Sequence, residues 1–70
     1  MKTIDTRNET KYSPLIVAVE AILQSDKGTN LELIMDKGEA LKETKAYLIA
    51  KDIGFREIYD ENKITLQFKV

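Results

Sequence analysis

The sequence predicts a two-layer α/β (α+β) sandwich, in which two helices cover one face of a four-stranded mixed sheet. The period of the apolar residues changes along the 70-residue chain and gives the element order β-α-β-α-β-β. Each predicted helix offers one good apolar face, which is enough to cover one side of such a sheet. Polar residues alternate with apolar ones in the strands, so the other side is expected to meet water or a partner. The alternate polar residues are Thr3, Asp5, Glu32, Thr65, Gln67 and Lys69.

The first strand and the first helix are predicted from residues 1–25. Met1 to Thr6 is expected to form a short strand with Ile4 pointing inward. Ser13 is the predicted N-cap, because its hydroxyl can accept a bond from an unpaired backbone N–H, and Pro14 follows at a position where its missing N–H costs nothing. The helix is expected over 14–25, with Gly28 as its stop signal. Its predicted core face consists of Leu15, Ile16, Val19, Ile22 and Leu23, and its opposite face of Val17, Glu20, Ala21 and Gln24.

The second half of the chain predicts a strand, a helix and a hairpin. Residues 31–36 are expected to form a strand and residues 39–53 a helix, which Gly54 ends. The helix has Glu39 and Glu43 early and Lys51 late, an order that the helix dipole favours. Its apolar positions form two sets, Leu41 with Leu48 and Ala46 with Ala50 and Ile53. Strands over 55–60 and 63–70 are joined by a turn at Glu61-Asn62. The strand residues predicted to face the helices are Leu31, Leu33, Met35, Ile64, Leu66, Phe68 and Val70.

The composition describes one small domain, residues 1–70, and argues against several functions. Without Cys or His, the chain can form no disulfide and lacks the ligands of a structural zinc site, so no metal or cofactor is predicted. Its 11 basic and 12 acidic residues form no block of like charge, which argues against a nucleic-acid partner or a basic membrane surface. The apolar run Leu15 to Val19 is too short to span a bilayer, and no secretory signal is evident. A cytoplasmic monomer or weak homodimer is therefore expected.

Four short stretches carry a resemblance to a known family. Asp5-Thr6-Arg7 precedes Lys11-Tyr12-Ser13-Pro14 at the first helix start, Ile34 to Ala40 joins strand to helix, and Gly54-Phe55 leads into the hairpin. In these residues, and in element order over nearly the full length, the chain resembles the TusA/SirA/YedF-like small sulfur-carrier proteins. The resemblance implies the same two-layer fold as a single domain and a protein-docking surface.

The chain departs from this family at the residues that carry its chemistry. The family's first strand ends in Asp-x-Arg-Gly-Leu, and its first helix starts at Cys-Pro-x-Pro, whose cysteine carries persulfide sulfur. Here Asn8-Glu9 stands where Gly-Leu is usual, and Lys11-Tyr12 stands where Cys-Pro is usual, while Pro14 is kept. An ammonium cannot hold a persulfide, so the resemblance implies a divergent member that has lost the sulfur-carrier chemistry.

The start of the first helix is the candidate site for an anion or a partner, because backbone N–H groups there attract negative charge. The residues of this site are Arg7, Lys11, Tyr12 and Ser13. The alternative, which is the usual outcome for charged loop residues, is that Arg7 pairs with Asp5 or Glu9 and that Lys11 is solvated. A nucleophilic Lys11 is a further hypothesis, but activated lysines need strong desolvation.

Two other groups of residues bear on the function. Val17 and Ala21, with Tyr12 beside them, are a candidate partner-binding patch, although scattered exposed apolar residues are common. The acids Asp36, Glu39 and Glu43 match no calcium-loop spacing, so no metal site is predicted.

The leading hypothesis is a small non-enzymatic binding or regulatory protein with an unidentified protein partner. The alternatives are an accessory protein in sulfur or selenium transfer that acts with a thiol-bearing partner, and a small-anion binder.

Overall fold

The described residues form two helices and four strands, in the order that the sequence predicts. The computed structural model describes residues 1–8 and 11–70. The elements are β1 (Lys2–Asp5), α1 (Pro14–Gln24), β2 (Asn30–Asp36), α2 (Glu39–Ala50), β3 (Phe55–Asp60) and β4 (Lys63–Lys69). Within the described ranges, neither helix is long and apolar enough to cross a membrane.

The strands form one mixed sheet in the order β1-β2-β4-β3. β1 runs parallel to β2, whereas β4 is antiparallel to both of its neighbours. A parallel pair needs a crossover connection, and α1 supplies it between β1 and β2. Both helices pack on one face of this sheet, so the predicted two-layer α+β architecture is confirmed.

The core lies between the sheet and the two helices. β2 and β4 contribute alternate residues that are almost fully buried, and their register places Leu33 directly opposite Leu66. The period-2 pattern therefore predicted the correct face of both central strands. The buried side chains of this core are Leu31, Leu33, Met35, Ile64, Leu66 and Phe68 from the sheet, with Leu41 and Leu48 from α2.

The orientation of α1 differs from the prediction. Its buried residues are Ala18, Ala21 and Ile22, whereas Ile16 is 49% exposed and Leu23 is 69% exposed. The predicted core face is therefore wrong in part, and Ala21 lies in the core rather than opposite it. The physical reason is that α1 is apolar nearly all round, so two different stripes satisfy helical spacing. The stripe with two alanines lets the helix approach the sheet closely and leaves larger side chains outside.

The end of α2 also differs, because the helix stops at Ala50 rather than at 53. Asp52 adopts a left-handed φ of 60°, and its N–H donates to the Ile49 carbonyl at 3.0 Å. The N–H of Ile53 donates to the Leu48 carbonyl at 2.9 Å. These two bonds form the helix-ending motif that usually places glycine in the left-handed position. Aspartate takes that role here, which is why Gly54 does not mark the end of the helix.

The end of α1 is also not formed by glycine. The helix ends at Gln24, and Ser25 caps it by donating its hydroxyl to the Ala21 carbonyl at 2.6 Å. Gly28, the predicted stop signal, lies in the following turn with a φ of 93°.

The sheet face without helices carries a row of polar residues. Register aligns Thr3, Glu32, Gln67 and Arg56 across all four strands. Glu32 accepts hydrogen bonds from the Thr3 hydroxyl at 3.2 Å and from the Gln67 amide at 2.7 Å. Three of the six predicted polar residues, Thr3, Glu32 and Gln67, are therefore joined by cross-strand hydrogen bonds, which stabilise a sheet directly. Thr65, which was expected at the open face, is instead buried, at 8% exposed.

Candidate protein-docking surface

The start of α1 has the predicted capping geometry. Ser13 has an extended backbone, and its hydroxyl accepts a hydrogen bond from the Ile16 N–H at 3.3 Å. The Ser13 carbonyl accepts a bond from the Val17 N–H at 3.3 Å, and Pro14 has no N–H. Three positions of the first helical turn therefore have no free N–H for an anion, which leaves the anion-pocket hypothesis with little support from the backbone.

Arg7 is engaged by Asp5 rather than aimed at the helix start. Its guanidinium makes two bonds to the Asp5 carboxylate, at 2.9 and 2.8 Å, and its backbone N–H adds a third at 3.0 Å. These hydrogen bonds lower the pKa of Asp5 to about 2, and the Asp5 carboxylate raises the pKa of Arg7. The alternative pairing with Asp5 is therefore what forms, while Glu9 lies outside the described residues. Arg7 lines a hollow beside the β3–β4 turn with Asp36, Asp60, Glu61, Asn62 and Lys63.

Lys11 and Tyr12 lie together in front of α1. The Lys11 ammonium is 5.5 Å from the centre of the Tyr12 ring, within range of a cation–π contact. Both side chains are exposed to solvent, and an exposed lysine lacks the desolvation that activates an amine. The geometry therefore gives little support to a nucleophilic Lys11.

Tyr12 also lines a groove between β1 and α1, together with Val17 and Ala21. The structure thus brings together the three residues predicted as a partner-binding patch. One correction applies, because Ala21 is only 8% exposed and forms the floor of the groove rather than a surface contact. Lys2 and Glu20 lie at the same groove and make it amphipathic.

A second surface on α1 was not predicted from the sequence. Leu15, Ile16, Val19 and Leu23 line a shallow apolar hollow on the helix, and we call these four residues the α1 outer face. Glu20 is the single charged residue among the eleven of this helix. A helix that is apolar nearly all round is normally covered on more than one side. The available signal was this lack of charge in α1, but sequence reasoning assigned the same four residues to the core.

The α1 outer face continues into a larger hollow at the end of α1. Its floor is apolar and includes Ile22, Tyr47 and Val70. Its other lining residues include Lys27, Lys51, Lys69 and Asp52, and we call the whole feature the lysine-rimmed hollow. Leu23 lines both the α1 outer face and this hollow. Val70 is held in place by backbone bonds with Gly28 and Thr29, at 2.7 and 2.9 Å.

The remaining cluster of titratable groups joins α2 to β3. Glu57 accepts hydrogen bonds from the Tyr59 hydroxyl and from the Lys45 ammonium. The bond from Tyr59, and then Lys45, lowers the pKa of Glu57, while Glu57 raises the pKa of Tyr59. Each of these three side chains has a hydrogen-bond partner among the others, which is typical of a structural cross-link. Across residues 1–8 and 11–70, no three acidic side chains are grouped to hold a metal ion.

Comparison with known proteins identifies no relative. No protein-family model matches the chain, and neither the curated proteins nor the solved structures contain a match. The function is therefore inferred from the residues and surfaces of the chain itself.

Proposed function

We propose that this chain is a small non-enzymatic binding protein that docks a partner protein on the α1 outer face. The observation that carries the proposal is the exposure of Ile16 and Leu23, at 49% and 69%, on a helix with one charged residue. Contiguous apolar surface beside polar residues is typical of protein interaction sites. Covering it releases about 25 cal/mol for each Å² of apolar area removed from water.

The non-enzymatic part of the proposal rests on the residue types that the chain contains. It has no cysteine or histidine, and its titratable pairs at Asp5 and Glu57 are satisfied by neighbouring side chains. The resemblance to the TusA/SirA-like sulfur carriers fits a protein that has kept a docking role after Lys11 replaced the sulfur-carrying cysteine. A regulatory or adaptor role follows, in which binding itself is the activity.

Capture experiments with matched variants test this function. Leu23→Gln changes the α1 outer face, and Ile49→Gln makes the same kind of change on α2, where Ile49 is 67% exposed. We expect the tagged wild-type chain and Ile49→Gln to cross-link to the same host protein, and Leu23→Gln to lose it. Capture of the same proteins by all three chains would contradict docking on α1. A sulfurtransferase as the captured protein would favour the accessory role in sulfur or selenium transfer.

A further inference from the structure

We infer that the segment bound by this surface is an acidic amphipathic helix of the partner protein, an inference that rests on the proposed docking function. The apolar side of this helix covers the α1 outer face. Its acidic residues meet Lys27, Lys51 and Lys69 at the lysine-rimmed hollow. The surface thus specifies both the secondary structure and the charge of its partner.

The spacing of the side chains on the α1 outer face favours a helix as the bound segment. Leu15 and Val19 are half-buried there, and Leu23 is exposed. Leu15, Val19 and Leu23 follow each other at intervals of four residues. Side chains at this interval form a ridge along a helix, and such a ridge fits the groove of a second helix. The ridge spans eight residue steps from Leu15 to Leu23, so it offers a helical partner about 12 Å of contact length. An extended segment would present its side chains at a period of two and would not match this ridge.

The charges around the hollow favour acidic residues in the partner. Lys27, Lys51 and Lys69 are exposed and line the hollow together with a single acid, Asp52. Leu23 connects this hollow to the α1 outer face, so one bound helix can reach both. Opposite charge at the rim of an interface orients the partner and raises its association rate, while apolar contacts supply most of the affinity.

A second copy of the chain is a poorer occupant of the same surface. A two-fold dimer brings the same patch of both subunits together. If the two α1 helices are parallel, the three lysines of one copy approach the three lysines of the other. If they are antiparallel, these lysines approach the start of the partner helix, where Lys11 and the positive end of the helix dipole lie. An anionic membrane fits this surface less well, because it would set negative charge against Glu20 beside the apolar ridge, whereas a bound helix can carry its acidic residues at the lysine end alone. The area of one short helix is at the small end for interfaces, so we expect a transient, micromolar complex.

A displayed peptide library can test this inference without knowledge of the natural partner. The probe is a set of 16-residue helical peptides in which leucines are fixed at i, i+3, i+4 and i+7. The flanking positions vary freely among Glu, Gln and Lys. Selection against the full chain is expected to enrich Glu over Lys toward one end of the peptide. The enriched peptide should shift the backbone amide signals of Leu23, Lys27 and Lys69 in NMR spectra.

Variants of the chain then locate the interaction. We expect Leu23→Gln to weaken binding of the enriched peptide by about tenfold, as for a central apolar contact. The combined change of Lys27, Lys51 and Lys69 to Gln should weaken binding several-fold and reduce its dependence on salt. Ile49→Gln should bind as the wild type does. Unfolding curves of each variant establish that it is folded before binding is measured.

Several outcomes would overturn the inference. Enrichment of Lys, or no charge preference in peptides that still need Leu23, would exclude an acidic partner and leave docking on α1 intact. Failure to enrich any peptide that depends on Leu23 would exclude a helical partner. Concentration-dependent dimers abolished by Leu23→Gln would make a second copy the occupant. Leu23-dependent binding to phosphatidylserine vesicles would make a membrane the occupant. The proposed function itself fails separately, if no host protein depends on Leu23.

Discussion

Two adjacent residues of α1 give the most direct test of how this helix faces the sheet. Ile22 is 5% exposed, whereas Leu23 is 69% exposed. Both are branched aliphatic residues of similar size, and neighbouring positions on a helix differ by about 100° in direction. Replacing each in turn by alanine therefore compares the inner and outer sides of one helix turn with little change in helix propensity.

The two substitutions are expected to differ several-fold in their effect on the free energy of unfolding. Truncating a buried isoleucine costs about 2–5 kcal/mol, because contacts are lost and a cavity remains. Full burial of a leucine side chain is worth about 1.5–3 kcal/mol, and roughly a third of Leu23 is covered, so Leu23→Ala should cost about 0.5–1 kcal/mol. For a domain of this size the total stability is about 4–10 kcal/mol. All variants are therefore measured in the same stabilising osmolyte, which keeps Ile22→Ala folded at the start of the titration.

Urea unfolding followed by circular dichroism measures both effects. With a slope of about 1 kcal/mol per M for a small domain, the Ile22→Ala midpoint should fall by about 2 M or more and the Leu23→Ala midpoint by less than about 1 M. Ile49→Ala, at an exposed position of α2, serves as the control and should resemble Leu23→Ala. Equal losses for Ile22 and Leu23, or a larger loss for Leu23, would mean that α1 is rotated and that its outer face belongs to the core.

Three further predictions concern the cap, the ion pair and the missing thiol. Ser13→Ala should lower the free energy of unfolding by about 1 kcal/mol, because the Ile16 N–H loses its side-chain acceptor; an unchanged urea midpoint would exclude Ser13 as the cap. NMR titration should give Asp5 a pKa of about 2. Because folding lowers the pKa of Asp5, the stabilisation from its ionised form is complete above the unfolded pKa of about 4 and is lost as pH falls through about 2. The difference in free energy of unfolding between the wild type and Asp5→Asn should therefore shrink over that pH range. A normal Asp5 pKa would argue against the Arg7 pair. The chain should not take up labelled sulfur from a cysteine desulfurase, since persulfide transfer needs a thiol. Stable label on the wild type would point to Lys11 or another acceptor, and Lys11→Cys tests whether a thiol at this position restores loading.

The sequence predicted the sheet better than it predicted the faces of the helices. In β4 the alternation is strict, and in β2 only Ile34 interrupts it, so each strand had one favoured buried face, and the structure has that face. In α1, only Glu20 and Gln24 interrupt the apolar residues, so helical spacing could not distinguish the stripe that contains Ala18 from the stripe that contains Leu23. The distinction depends on how closely the helix approaches the sheet, which is a tertiary property.

Only part of the candidate site was predicted, because the rest depends on how the elements pack. Local chemistry identified the Ser13 cap and the Asp5–Arg7 pair, because both depend on residues close in sequence. The α1 outer face was missed because its apolar residues were assigned to the core. The lysine-rimmed hollow combines Lys27, Lys51 and Lys69 from three separate parts of the chain, and no sequence pattern brings them together. Surfaces of this kind become visible only when the packing of the elements is known.

The position of β4 between β2 and β3 has a consequence for synthesis on the ribosome. β4 follows both of its sheet partners in the chain, and β2 and β3 are not paired with each other. Until β4 has left the exit tunnel, β1 and β2 can pair, but β3 has no neighbour in the sheet. The apolar residues that β2 and α2 bury against β4 therefore stay accessible to chaperones until the last strand is released. Folding of this domain should accordingly be delayed and cooperative rather than progressive along the growing chain.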